Sequence, residues 1–271
     1  MSDSRSRNVA RSGSAAAGSG AKAFPVWETV VTRERQAQYH ANCDVSTDAF
    51  GDAVDASVLA SDCARSFLKA RLPIDGLMFN YHKIDQVKRV KLGDVLEVHG
   101  RIQDVAKDEK GFVITAVFDF LRDGDRVVGM EAITLRPDAQ KMRQLRRGTD
   151  DEGPKASRPR DYALIGRKLL TPEKVQAYAK EAANKINFDA GFAARFGLRS
   201  PVAPSLVALT YFAGHLAKKG LPDAYEIDCR FLNPLYWDDG LDLIARERTA
   251  STEFKCINAR GRIVCEAEFR G

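Results

Sequence analysis

The sequence lacks the cysteine pattern of a disulfide framework or of a zinc site. Its 271 residues include five cysteines, which is an odd count, and no two of them form a C-x-x-C pair. Scattered single thiols are typical of reduced intracellular proteins, so we expect a cytoplasmic protein with no structural metal. The cysteines are Cys43, Cys63, Cys229, Cys256 and Cys265.

Long hydrophobic runs are also missing. No apolar run approaches the roughly 18 residues that a membrane helix needs, and the N-terminus has no apolar core of a secretory signal. Charged residues make up 29% of the chain and hydrophobic residues 44%, which indicates a soluble globular protein of one large or two small domains. The net charge is +5. No aromatic platform or nucleic-acid module accompanies the basic residues, so neither a membrane nor a nucleic acid is expected as a partner.

Several catalytic and cofactor motifs are absent. The sequence contains neither a phosphate-binding loop nor a dinucleotide-binding glycine pattern after a strand. The G-x-S-x-G motif of serine hydrolases and the H-E-x-x-H motif of zinc proteases are missing as well. No bound cofactor is therefore expected.

Two segments of low hydrophobicity divide the chain. Residues 1–22 are rich in Ser, Gly, Ala and Arg and predict a disordered tail, with a transit peptide as the alternative. Residues 138–160 mix Arg, Asp, Gly and Pro and predict an exposed linker. Residues 23–137 and 161–271 then form two domains.

The two predicted domains resemble each other at their starts. One contains VVTRERQAQY, from Thr32 to Tyr39, and the other contains LLTPEKVQAY, from Thr171 to Tyr178. A threonine hydroxyl can accept a free first-turn N–H, and Pro172 falls at a helix position where proline is tolerated. We therefore predict a short helix after each threonine.

A longer apolar helix and four strands follow in each domain. The helices are predicted over residues 56–72 and 204–220, with Pro204 and Ser205 opening the second and Gly220 closing it. The motif Ile84-Asp85 recurs as Ile227-Asp228. Helices followed by hairpin strands indicate an α+β class, in which an antiparallel sheet wraps around one long helix. This is the hotdog arrangement, and it occurs twice. The strands are predicted over residues 79–87, 94–105, 111–121, 126–135, 225–232, 241–248, 253–257 and 262–269.

Three stretches of the chain resemble the MaoC-like hydratases and dehydratases. Residues 169–206 (LLTPEKVQAYAKEAANKINFDAGFAARFGLRSPVAPSL) are similar to the segment from the capped helix through the catalytic loop to the central helix. Residues 229–243 and 90–96 are similar to the strand-entry turn of that family. The resemblance covers about residues 24–137 and 160–271. It implies a lyase of fatty acid metabolism that acts on acyl thioesters of coenzyme A or acyl carrier protein, the carrier being part of the substrate. A homodimer, or a hetero-oligomer with another hotdog or acyl-CoA-processing subunit, is also implied.

The catalytic loop departs from the family pattern, Gly-Asp-x-Asn-Pro-x-His, which supplies an Asp and a His for acid–base work. Counting back from Gly197 places Asn187 at the His position. Counting forward from Tyr178 places Asn184 at the Asp position and Asp189 near the His. Neither alignment yields an Asp/His pair. We expect Asn184 and Asn187 to contact substrate, with Asp189 as a candidate acid or base.

The starts of the long helices are candidate binding elements. The family's His-Gly pair is replaced here by Pro204-Ser205, and Ser57 lies at the corresponding place in the first domain. Free N–H groups at a buried helix start can hold a thioester carbonyl. We therefore expect Ser57, Pro204 and Ser205 to line the binding site, although both serines can also serve only as helix caps.

Three further residues are candidate catalytic groups. Asp44 lies one residue short of the family's Asp position and is the first choice for the carboxylate. Asp62 on the first long helix can activate water in a hotdog thioesterase, or it can be a solvent-side helix residue. His82 can be an acid–base group or a surface histidine at a strand edge.

Three functions remain open. The first is an acyl-thioester hydratase or dehydratase that adds or removes water across the α,β bond. The second is a non-catalytic acyl-binding or assembly subunit of a multi-protein enzyme. The third is a thioesterase that uses Asp62.

Overall fold

The computed structural model describes residues 22–147 and 159–271. The predicted tail lies outside the described residues except for Lys22, which begins the first strand. Residues 148–158 of the predicted linker also lie outside the described residues. We call residues 22–137 the first half and residues 163–271 the second half.

The helices and strands follow the predicted order in each half. Every predicted strand is present with ends that agree to within three residues. Three further strands were not predicted: Lys22–Ala23 and Trp27–Val30 precede the first helix of the first half, and Ala163–Leu169 precedes that of the second half. The elements of the first half are β1 (Lys22–Ala23), β2 (Trp27–Val30), α1 (Arg33–Asn42), α2 (Ala56–Lys69), β3 (Met78–Gln86), β4 (Val95–Asp108), β5 (Gly111–Arg122) and β6 (Asp125–Pro137), followed by α3 (Ala139–Arg147). Those of the second half are β7 (Ala163–Leu169), α4 (Pro172–Ala179), α5 (Ala190–Ala194), α6 (Val207–Ala217), β8 (Tyr225–Phe231), β9 (Gly240–Glu247), β10 (Thr252–Asn258) and β11 (Ile263–Arg270).

The two threonines cap their helices as predicted. The Thr32 hydroxyl accepts a hydrogen bond from the Arg35 N–H at 3.1 Å, at the start of α1. The Thr171 hydroxyl accepts one from the Lys174 N–H at 3.3 Å, at the start of α4. Each cap satisfies one of the free donors of the first turn, which fixes where both helices begin.

The strands form one continuous antiparallel sheet that joins the two halves. Among the described residues it has eleven strands, in the order β1-β4-β5-β6-β3-β8-β11-β10-β9-β7, with β2 also paired to β4. At the junction of β3 and β8, Ile84 lies directly opposite Ile227. The isoleucines of the repeated Ile-Asp motif therefore pair with each other, whereas Asp85 lies opposite Glu226 and Asp228 opposite Lys83.

Both long helices are buried inside the curved sheet, as predicted. Leu59 on α2 and Phe212 on α6 are fully buried. The hydroxyls of Ser57 and Thr210 form a buried hydrogen bond of 3.0 Å between the two helices. In the described ranges, no helix is long and apolar enough to cross a membrane.

The second long helix begins later than predicted. Pro204 and Ser205 precede α6 in a turn, and Leu206 is the residue before its first turn. Leu206 has no side chain that can cap the helix, so nothing local marks the start in the sequence.

Part of the predicted exposed linker over residues 138–160 is a helix with a buried side chain. The helix α3 buries Met142 against Ile186 and Tyr236 of the second half. The low mean hydropathy of this segment conceals that contact, because one buried methionine anchors an otherwise polar helix.

Candidate functional site

A small, mostly apolar cavity lies between the two halves. Its volume is about 60 Å³. The first half contributes parts of α1, α2 and the start of β3, whereas the second half contributes α4, the loop that follows it and the approach to α6. The lining residues are Tyr39, Ser61, Ala64, Ile74, Leu77, Met78, Phe79, Tyr178, Ala179, Ala182, Asn184, Ile186, Asn187, Val202, Ala203, Pro204, Ser205 and Leu206.

A wider groove of about 460 Å³ adjoins the cavity. The two share a wall that includes Phe79, Ala203 and Ser205. Away from that wall, the groove is lined by apolar side chains such as Leu135 and Phe231 and by charged side chains, which are Glu109, Lys110, Arg260 and Arg262. The Arg262 Nη2 atom is buried without an acceptor in the part of the chain that the structure describes. The groove therefore presents positive charge beside an apolar cavity.

Asn184 holds the loop after α4 against the first half. Its Oδ1 accepts from the Gly76 N–H at 2.8 Å, and its Nδ2 donates to the Leu77 carbonyl at 2.8 Å. The side chain lines the cavity, but both ends of its amide are engaged by backbone. Asn184 therefore shapes the wall and has little capacity left to bind a ligand.

Asn187 keeps a free acceptor at the cavity. Its Nδ2 donates to the Val202 carbonyl at 2.7 Å. Its Oδ1 has no hydrogen-bond partner among residues 22–147 and 159–271. Asn187 lines the cavity, and its free oxygen can accept a hydrogen bond from a ligand or from water.

The approach to α6 supplies two free donors. The Val207 N–H donates to the Pro204 carbonyl at 3.0 Å, and the Ala208 N–H donates to the Ser205 carbonyl at 3.1 Å. Within the described ranges, no acceptor takes the N–H of Ser205 or that of Leu206. Both residues line the cavity, at the positive end of the α6 dipole. Two adjacent N–H groups in such a place can hold a carbonyl oxygen or an oxyanion.

At the corresponding helix start in the first half, the N–H of Ser57 already has an acceptor. The Asp55 carboxylate accepts from the Ser57 N–H at 2.8 Å and contacts His40 Nε2 at 3.0 Å. His40 Nδ1 in turn lies 3.1 Å from the Thr47 hydroxyl. Asp55, Ser57 and His40 are all buried, and none lines the cavity. This contradicts the expectation that Ser57 binds substrate, because its N–H is occupied and its hydroxyl bonds Thr210.

The buried His40–Asp55 pair is absent from our sequence predictions. His40 lies within α1 and Asp55 caps α2, so fifteen residues separate them. Nothing in the local pattern indicates that the fold brings them together.

Asp44 lies at the protein surface, where its side chain is half exposed. It forms an ion pair with Lys174 at 2.7 Å, and the Lys168 ammonium donates to its backbone carbonyl at 2.6 Å. Asp44 does not line the cavity or the groove. Its position contradicts the assignment of Asp44 as the catalytic carboxylate and gives it a role in joining the two halves.

Asp62 is fully buried, so the alternative of a solvent-side helix residue is wrong. Its carboxylate forms ion pairs of 2.7 Å with Arg35 and with Arg65, and it accepts from the Thr29 hydroxyl at 2.9 Å. It does not line the cavity. A carboxylate held by two guanidinium groups is poorly suited to activate water, which argues against Asp62 as the residue of a thioesterase.

The same ion-pair network reaches the second half through Glu181. Arg35 binds Glu181 at 2.6 Å, next to the loop that lines the cavity. Burial opposes ionisation of Glu181, but the hydrogen bonds and charge of Arg35 outweigh it and hold the pKa below its usual value. The network therefore fixes the loop to α1 and α2.

His82 and Asp189 also lie away from the cavity lining. His82 is fully buried, and neither ring nitrogen has a partner in the described part of the chain. Burial lowers its pKa to about 3, so the ring is neutral at physiological pH. The expectation of a strand-edge surface histidine is thus wrong. Asp189 is exposed and caps α5 by accepting from the Phe192 N–H at 2.8 Å.

The cavity wall therefore offers hydrogen-bonding groups without an acid–base pair. The described lining contains no carboxylate and no histidine. Its titratable side chains are Tyr39 and Tyr178, and burial raises the pKa of both phenols. In the described ranges no cluster of three or more His, Cys, Asp or Glu residues is arranged to hold a metal ion. The site can bind and polarise a carbonyl, but it lacks a side chain that removes a proton at neutral pH.

Solved structures with low sequence identity share this architecture. HtdX from Mycobacterium tuberculosis matches with a TM-score of 0.74 at 17% identity, over 91% of this chain and 99% of its own. A MaoC-like dehydratase from Phytophthora capsici matches with a TM-score of 0.68 at 11% identity, over 93% and 95%. A conserved hypothetical protein of Mycobacterium tuberculosis, described as a double hotdog fold, matches with a TM-score of 0.60 at 11% identity, over 91% and 94%. The chain has the double hotdog fold.

The double hotdog accounts for the position of the site. The cavity lies where the two hotdog units meet, and its donors come from the second unit. No protein-family model matches the sequence, and no curated protein matches it. At identities this low, the likeness establishes the fold that the sequence resemblance predicted and leaves the activity to the site itself.

Proposed function

We propose that this double hotdog protein binds an acyl thioester, with the thioester carbonyl held by the N–H groups of Ser205 and Leu206. The observation that carries the proposal is a pair of free N–H donors on two residues that line an apolar cavity. A carbonyl oxygen satisfies both donors, which otherwise lose hydrogen bonds on burial.

The surroundings of the donors match the two ends of such a ligand. The acyl chain enters the apolar cavity, and the carrier lies in the adjoining groove. Phosphate groups, which coenzyme A and the arm of an acyl carrier protein both contain, suit the basic side chains of Lys110 and Arg262.

Binding without rapid turnover is the activity that the cavity wall supports best. Hydration or dehydration is the second candidate, because the fold is shared with a MaoC-like dehydratase. Asn187 Oδ1 and the Ser205 hydroxyl can orient a water molecule at the cavity, whereas the described cavity lining supplies neither a carboxylate nor a histidine as acid or base.

The proposal is tested with crotonyl-CoA as the probe. Calorimetry measures binding, loss of the enoyl absorbance measures hydration, and a thiol reagent measures hydrolysis. Binding with little turnover is the expected result, whereas rapid hydration by the isolated chain supports the second candidate. Absence of binding by both crotonyl-CoA and butyryl-CoA contradicts the proposal.

The donor pair is tested by Ser205→Pro, with Ser205→Ala as the matched control. Ser205 occupies the second position of the turn closed by the Val207 N–H, and proline is favoured there. Proline removes the N–H and the hydroxyl, whereas alanine removes the hydroxyl alone. One hydrogen bond contributes about 1 kcal/mol, so we expect Ser205→Pro to raise Kd about five-fold relative to Ser205→Ala. Equal Kd values for the two variants contradict the assignment of the donor.

A further inference from the structure

Two tyrosines from the repeated motif meet at the cavity. Tyr39 on α1 and Tyr178 on α4 occupy the same place after their capping threonines. Their rings pack edge to face with centroids 4.8 Å apart, and both residues are buried. The duplication thus brings one copy of the motif against the other, and together they form part of the cavity wall.

Hydrogen bonds hold both rings in place. The Tyr39 hydroxyl donates to the Ser61 hydroxyl at 2.9 Å, and the Tyr178 hydroxyl lies 3.2 Å from that of Thr210. The Arg35 guanidinium, part of the buried ion-pair network, lies 6.0 Å from the Tyr39 ring centroid. An aliphatic chain that passed this point would displace a ring and meet polar groups.

The tyrosines lie on the part of the cavity wall that the groove does not share. Neither Tyr39 nor Tyr178 lines the groove, whereas Ser205 lines both spaces. A chain that enters from the groove therefore meets Ser205 before it reaches the rings.

The cavity volume limits how much of a chain fits. An engineered protein cavity of about 150 Å³ binds benzene, which corresponds to roughly 25 Å³ per carbon. On that scale, the cavity of about 60 Å³ holds roughly two to three carbons.

We propose that the Tyr39–Tyr178 pair sets the acyl-chain length that the protein accepts and restricts it to short chains, of roughly three to four carbons including the carbonyl. This inference rests on the proposed function, because it takes the thioester carbonyl to lie at Ser205 and Leu206. The two rings determine specificity by closing the cavity and take no part in chemistry.

The test is a series of saturated acyl-CoA thioesters from acetyl to dodecanoyl, with Kd measured by calorimetry. Wild type is expected to bind butyryl-CoA best and octanoyl-CoA at least ten-fold more weakly. Tyr178→Ala adds space on the order of one benzene ring and moves the preferred chain longer by up to roughly six carbons. Tyr178→Phe keeps the ring and loses only the hydroxyl, so it retains the wild-type preference.

A reciprocal variant keeps the inference testable if Tyr178→Ala does not fold. Ala64 lines the cavity from α2, and Ala64→Val fills part of the space. It is expected to weaken butyryl-CoA binding at least ten-fold and to leave acetyl-CoA binding within three-fold of wild type. Circular dichroism of each variant verifies folding.

The outcomes separate the two proposals. Wild-type binding that is equal for butyryl and dodecanoyl chains overturns the chain-length inference and leaves acyl-thioester binding intact. An unchanged preference in folded Tyr178→Ala or Ala64→Val overturns it as well. Absence of binding at every chain length overturns the proposed function and, with it, the inference.

Discussion

Replacement of His82 by leucine removes a buried group that makes the fold sensitive to acid. His82 lies on β3 opposite Ala132 and Cys229, and it is fully buried. Neither ring nitrogen has a hydrogen-bond partner in the described residues. The neutral ring therefore leaves polar atoms unsatisfied, and its protonation inside the core is strongly unfavourable.

The size of the effect follows from the difference in pKa between the folded and unfolded states. Burial lowers the pKa of His82 to about 3, whereas a histidine in an unfolded chain has a pKa of about 6.5. Between these values the unfolded chain binds the additional proton, so the free energy of unfolding falls as the pH is lowered. The linkage relation gives a loss of about 2 kcal/mol between pH 7 and pH 5 from this residue.

The assay is urea unfolding of wild type and His82→Leu at several pH values from 7 to 5. The variant is expected to lack this loss, so the difference in unfolding free energy between the two proteins grows by about 2 kcal/mol over that range. At pH 7, removal of the unsatisfied nitrogens is expected to stabilise the variant by about 1 to 3 kcal/mol. Replacement of the partly exposed His99 by glutamine serves as the control for loss of a histidine outside the core.

Parallel pH curves for wild type and His82→Leu refute the reasoning. A His82 ring that titrates near pH 6.5 in the folded protein, as followed by NMR, refutes it as well.

Two other predictions concern contacts between the halves. A Cβ at Gly214 on α6 would lie 2.6 Å from Val45 Cγ1, so Gly214→Ala is expected to lower the free energy of unfolding by about 1 to 3 kcal/mol. In a double-mutant cycle, the additional change Val45→Ala is expected to recover part of that loss, whereas additive effects of the two changes contradict the contact. Asp44→Ala breaks a half-exposed ion pair with Lys174, so we expect a loss of stability of less than about 1 kcal/mol and an unchanged Kd for butyryl-CoA. A ten-fold rise in Kd would mean that Asp44 belongs to the binding site.

Local patterns were sufficient to predict the architecture. The capping threonines, the two apolar helices and the hairpin strands depend on interactions between near neighbours in the chain, and such interactions are visible in the sequence. The repeated Ile-Asp motif indicated two similar halves, and in the structure Ile84 pairs with Ile227.

The site was predicted less completely because its decisive features depend on distant contacts. Asn184, Asn187, Pro204 and Ser205 line one cavity, and their contact with a substrate stays a prediction. Asp62, by contrast, forms ion pairs with Arg35 and Arg65. The pair with Arg35 forms only when α1 and α2 pack together.

Local sequence patterns could not predict the free backbone N–H donors either. Whether a backbone N–H is free depends on which carbonyl the turn places near it. Here the turn before α6 engages Val207 and leaves the N–H groups of Ser205 and Leu206 open.

The most direct measurement is a crystal structure of the protein with bound butyryl-CoA. We predict that the thioester oxygen lies about 2.7 to 3.2 Å from the nitrogens of both Ser205 and Leu206, with the acyl chain in the cavity and its end against the Tyr39–Tyr178 pair. A carbonyl oxygen out of hydrogen-bonding reach of both nitrogens, or an acyl chain outside the cavity, contradicts the account.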